Sequence, residues 1–195
     1  MKRHGFVLLA LLSAVRVDAE PGFLSASQLE SSVLAVAGRV RAEREAKRQE
    51  DSLIEGLFAF AVQQGGYGEF CRQQGCRASA VIRVEPSEYV RKDHNGWYNN
   101  GNSYIKARPS SIGEEITTVH ELTHHLQRLS NRYHQYRGPC NQYLAEKEAY
   151  EVGEAYARGK GYMTKPEARI AAYEKRCRDA VDAGLVKLPE AMARR

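Results

Sequence analysis

The chain has 195 residues, of which 29 are basic and 24 acidic, giving a formal charge of +5; 43% are hydrophobic and four are cysteine. This is enough apolar mass for one domain with a real core, and it excludes a disordered chain. The positive balance is small and scattered, so it describes a mildly basic, solvated surface and does not indicate a nucleic-acid partner.

The first residues read as an export signal. Lys2, Arg3 and His4 precede a short apolar run from Phe6 to Val15, and Val17-Asp18-Ala19 offers small residues where a signal peptidase reads. Residues 1–19 are therefore expected to leave by cleavage after Ala19, and the charge falls by two. The run is too short for a permanent bilayer span, so no stable membrane anchor is expected. The destination is periplasmic or extracellular.

One domain is expected over 20–195. Its N-terminal helices fall within 25–64, where Ser25 or Ser27 caps a helix carrying Leu29, Val33, Leu34 and Val36 or Ala37. The polar stretch 42–51 either continues that helix or bends between two. Leu53, Ile54, Leu57, Phe58, Ala61 and Val62 then return at helical spacing, and Gly65, Gly66 and Gly68 break the pattern. A core follows over 78–159. Val81, Ile82 and Val84 mark a strand, and the arms around Asn100-Gly101 mark a β-hairpin. Ser111 with Glu114 forms a capping box for a helix bearing Ile116, Val119, Leu122, Leu126 and Leu129. Gly138 and Pro139 read as a turn before a helix over roughly 142–158. Thr164 with Glu167 forms a second capping box, which opens a C-terminal helix over 164–182. The class is α+β, mostly helical.

All four cysteines lie in the exported part. An even count in an oxidising compartment reads as two disulfides. Cys71–Cys76 closing a small loop and Cys140–Cys177 tying the chain's end to its middle are favoured, although spacing alone leaves the other two pairings open.

The run His120-Glu121-Leu122-Thr123-His124 carries the chemistry. Two histidines four apart on a helix share a face and can share one Zn²⁺, and the intervening glutamate is placed to take a proton from the attacking water. A catalytic zinc needs a third protein ligand. Glu146 and Glu148 are the candidates. Glu146 is favoured because it shares a face with Tyr150 and with Ala149, Gly153 and Ala157, small residues that admit close helix approach; Glu148 lies near Leu144, Val152 and Ala155 instead.

From Gly96 to Gly159 the sequence resembles the gluzincin class of zinc metallopeptidases, in which an HExxH helix is followed by a helix that donates a glutamate. Several such families place a small residue three positions after that glutamate and a polar one four after, as Ala149 and Tyr150 stand to Glu146. The third-histidine spacing of the metzincins is absent. The resemblance implies a zincin-like core with one Zn²⁺ per chain held by His120, His124 and Glu146, and Glu121 as general base in hydrolysis of an amide, most directly a peptide bond in a peptide or protein substrate. It also implies a strand ahead of the metal helix walling the cleft, at Tyr104 to Ala107.

Tyr133, His134, Tyr136 and Tyr150 are candidate oxyanion donors. His125 points off the metal face, with a supporting or surface role, and His94 belongs to a polar turn. Two other readings compete: an exported zinc-binding structural or interaction protein without turnover, and a metal-free, disulfide-stapled helical module. Glu121 argues against the first, since a structural site has no need of that carboxylate.

Overall fold

The computed structural model describes residues 26–85, 96–99, 102–133, 138–187, 189 and 192. The export segment with its cleavage after Ala19, His94, the Asn100-Gly101 turn, His134 and Tyr136 lie outside the described residues. The architecture is α+β and mostly helical. No helix among the described residues is long and apolar enough to cross a membrane.

The chain divides into two units between Ala46 and Lys47. Residues Ala26–Gln64 form helix α1, so the polar stretch 42–51 is helical. In the first unit Leu29, Val33 and Leu34 are exposed.

The second unit holds the core. Ile54, Leu57, Phe58 and Ala61 recur at three- and four-residue steps on one face of α1 and are buried against Val119, Leu122 and Leu126 of α3 (Ile112–Leu129). A short helix α2 (Gly68–Gln74) and a 3-10 turn (Ala78–Ala80) come between them in sequence. Strands β1 (Ile82–Val84), β2 (Gly96–Asn99) and β3 (Asn102–Lys106) form one sheet in the order β1-β3-β2. The expected hairpin is present: β2 and β3 run antiparallel, with Trp97 opposite Tyr104 and Asn99 opposite Asn102. Strand β3 also pairs in parallel with β1, Ile82 opposite Tyr104. It is thus central, with both edges consumed, and offers no edge at Tyr104 to Lys106 for a substrate; among the described residues β2 is the outer strand on that side.

Helix α3 starts where its chemistry says it should. The Ser111 hydroxyl accepts the Glu114 N–H at 3.3 Å, while the Glu114 carboxylate accepts from the Ser110 N–H at 2.6 Å. Helix α4 (Gly138–Gly159) begins earlier than expected. Pro139 sits in its first turn, where its missing N–H costs nothing. Gly153 packs against α3: a Cβ there would stand 3.6 Å from Ile116, in ordinary van der Waals contact. Helix α5 (Glu167–Asp182) is capped by Pro166 without a side-chain bond, so the expected Thr164 capping box does not form.

Both favoured cysteine pairs form: Cys71 with Cys76, and Cys140 of α4 with Cys177 of α5, at Cα separations of 4.8 and 4.4 Å. The second pair centres its own small core with Tyr143, Leu144 and Met192. Two disulfides point to an oxidising, exported environment.

Candidate metal centre

Helix periodicity puts His120 and His124 one turn apart on α3, and their Nε2 atoms lie 3.1 Å from one another. Helix α4 brings in Glu146, whose Oε2 is 3.4 Å from His120 Nε2 and whose Oε1 is 3.8 Å from His124 Nε2. Among the described residues, this is the group that can hold a metal ion. Each histidine is reached by a different Glu146 oxygen, and one donor atom from each of the three residues lies within 4.8 Å of the others. Ligand bonds of about 2.0–2.2 Å in a tetrahedron imply donor separations of roughly 3.3 Å. Two imidazoles and one carboxylate also leave a fourth position open, the arrangement of catalytic rather than closed structural sites.

The electrostatics agree with that geometry. Burial pushes the Glu146 carboxyl up, but hydrogen bonds and charge from His120 and His124 outweigh it and hold the group at about 2. For His124, burial opposes the charged form, yet Glu146 and the nearby Glu121 bring its pKa above the ordinary imidazole value. Positive charge is favoured at this point whether it arrives as a proton or a cation.

Glu148 takes no part in the trio. Its carboxylate accepts from Tyr67 at 3.0 Å, Tyr133 at 2.8 Å, Gln127 Nε2 at 2.9 Å, and from Arg132. That network reaches the site through Gln127. The Gln127 amide nitrogen faces two acceptors, the Glu148 carboxylate and the Ala145 carbonyl oxygen at 2.9 Å, so its oxygen must point the other way. There it lies 2.8 Å from His124 Nδ1. Nδ1 must then carry the hydrogen, which leaves the Nε2 lone pair aimed at the place an ion would take. Sequence reading missed Gln127; the available signal was a polar amide three residues after the second histidine on the same helix.

Glu121 is buried on the cleft side of α3, next to His120 but outside the trio. Its backbone carbonyl accepts from Ser103 of β3 at 3.3 Å. Gly96, at the start of β2, faces its side chain so closely that a Cβ there would overlap Glu121 Cγ. The glycine of β2 therefore sets where this carboxylate can lie, another role the sequence did not reveal.

Of the candidate oxyanion donors, the Tyr133 hydroxyl is committed to Glu148. Tyr150 lies one turn after Glu146, its ring centroid 4.6 Å from that of His120 and its hydroxyl 3.5 Å from Arg169. His125 faces the interior rather than the surface and does not touch the ligands' hydrogen-bond network. It is 1% exposed, neither ring nitrogen has a hydrogen-bond partner among the described residues, and burial lowers its pKa to about 4.

The trio opens onto a cleft of about 1420 Å³ between α3, α4 and α5, with Trp97 of β2 at one side. Compared with family models, characterised proteins and solved structures, the chain matches none.

Proposed function

We propose that the chain is an exported zinc-dependent hydrolase of amide bonds, with peptides or proteins as substrates, built on a zincin-like core. The observation that carries this reading is the convergence of His120, His124 and Glu146, from two packed helices, at separations of 3.1–3.8 Å beside the buried carboxylate of Glu121.

The residues present fit zinc, since imidazole and carboxylate are among its usual donors. Bound there, zinc supplies Lewis acidity toward a carbonyl and brings the pKa of water to about 7. The chain's own groups supply the rest. Glu121 accepts the proton of the attacking water and delivers it to the departing amine. Tyr150 is the hydroxyl available to hydrogen-bond the oxygen on which charge develops. The half-buried site keeps bulk water from screening these groups.

Two measurements test the reading: zinc stoichiometry on tag-free protein, and peptide-bond cleavage with and without a chelator. One zinc per chain and chelator-sensitive cleavage are expected. Zinc without cleavage would reduce the site to a structural cross-link between α3 and α4, and absence of zinc would remove the reading altogether.

A further inference from the structure

The cations of α5 differ in their pairing according to the face they take. On the outward side of α5, Lys175 pairs with Asp179 at 2.7 Å and Arg178 with Glu174 at 2.8 Å. On α4, Lys147 pairs with Glu151 at 2.8 Å. The face of α5 turned to the cleft carries Arg169, Ala172, Tyr173 and Arg176, the three- and four-residue steps of one helical face, preceded by Lys165. Arg128 stands across from them, one turn beyond His124 on α3.

None of Arg128, Lys165, Arg169 and Arg176 is ion-paired with a carboxylate among the described residues. Arg169 meets the Tyr150 hydroxyl, and Arg176 lies 5.6 Å from the Tyr173 ring centroid. The cleft's own carboxylates balance them only in part, through the charge of Glu146 felt at Arg169. Glu146 and Glu121 belong to the metal centre, and Glu154 stands 3.8 Å from Arg158. A helix that neutralises its solvent-facing cations and leaves its cleft-facing ones unpaired presents a wall complementary to negative charge.

We propose that this wall selects peptide segments bearing acidic side chains, held so that the chain passes the metal centre. This deepens the reading of the site as an amide hydrolase and rests on it. The spacing adds a specific expectation. Arg169 and Arg176 are two helical turns apart, about 10 Å along the axis. An extended peptide turns every second side chain to the same face, in steps of about 6.8 Å, so carboxylates two or four positions apart bracket the spacing of the two guanidinium groups. A peptide is favoured over a nucleic acid because the same cleft holds a centre suited to amide chemistry, and because Tyr150, Tyr173 and Trp97 supply apolar surface for side chains beside the cations.

The test uses the full chain as Glu121→Gln and two fluorescein-labelled decapeptides, one with three glutamates at alternate positions and one with glutamines in their place. Fluorescence anisotropy should show the glutamate peptide binding about tenfold more tightly at low salt, with the preference shrinking to about twofold near 0.5 M NaCl. The double variant Arg169→Gln/Arg176→Gln should abolish the preference. Lys175→Gln/Arg178→Gln, on the opposite face, should leave it unchanged. Equal binding of the two peptides would overturn the proposal, as would a single-stranded oligonucleotide of matched charge binding as tightly. Cleavage by the wild-type chain separates the two ideas. Equal cleavage of both peptides would sink the acidic preference and leave the hydrolase standing, whereas tight binding of the glutamate peptide without cleavage would do the reverse.

Discussion

Gly96 and Glu121 occupy one space: the strand passes so near the helix that any side chain at 96 would displace the carboxylate arm. Gly96→Ala should therefore leave zinc stoichiometry intact while lowering kcat by about 100-fold, the scale expected for a shift of about 1 Å in a reacting group. Metal analysis beside steady-state kinetics checks it. An alanine variant with wild-type kcat would show that Glu121 is not held there.

Glu121→Gln should keep the metal and lose nearly all turnover, because the amide cannot accept a proton. His120→Ala should lose both, since two donors do not hold zinc well. If the glutamine variant hydrolysed peptides at the wild-type rate, the assigned base would be wrong.

Substitution of the two neighbouring glutamates should have opposite consequences. Glu146→Ala is expected to empty the site with little loss of fold. Glu148→Ala should unfold at lower temperature, by about 2–3 kcal/mol of stability, because Tyr67, Tyr133 and Gln127 lose a charged acceptor. Zinc titration and thermal melting followed by circular dichroism distinguish the two.

Gln127→Leu should weaken zinc binding by about 10- to 100-fold without abolishing it, the usual effect of losing the group that orients a ligating histidine. Competition against a chromophoric chelator measures the change. An unaltered affinity would mean that the His124 tautomer needs no such support.

Glu114 makes stability depend on acid. The Lys106 ammonium, followed by the Ser110 N–H, holds its carboxyl at about 2, below the ordinary 4.5. A depressed carboxyl contributes stability that is complete above pH 4.5 and is lost as pH falls from there through about 2. Urea midpoints across this window should fall more steeply for the wild type than for Glu114→Gln. Parallel slopes would contradict it.

What the sequence revealed was local. His120, Glu121 and His124 are readable because one helical period puts both histidines on a face. Glu146 is readable because Ala149 and Gly153 mark the side of α4 that packs closely. What stayed hidden depends on chain brought from afar. Glu148 looks like any carboxylate on a charged helix until Tyr67, 81 residues away, meets it. The centrality of β3 follows from a parallel partner that no turn signal announces. Pro166 took the cap that the Thr164 pattern had advertised, since local capping signals compete and only one residue can terminate the helix. Nothing in the sequence marks Arg169 and Arg176 of α5; only the cleft shows which face they take.

The bridge between Cys140 and Cys177 has a bearing on how the protein must be made. Helices α4 and α5 are joined by their connecting loop at one end and by this bridge at the other, so Glu146 and the arginine wall belong to one covalent ring spanning 37 residues. In a chain-entropy picture such a ring disfavours the unfolded chain by about 4 kcal/mol. A polypeptide produced in a reducing cytosol would possess every ligand and every cation, yet lack the brace that keeps the two walls at a fixed width.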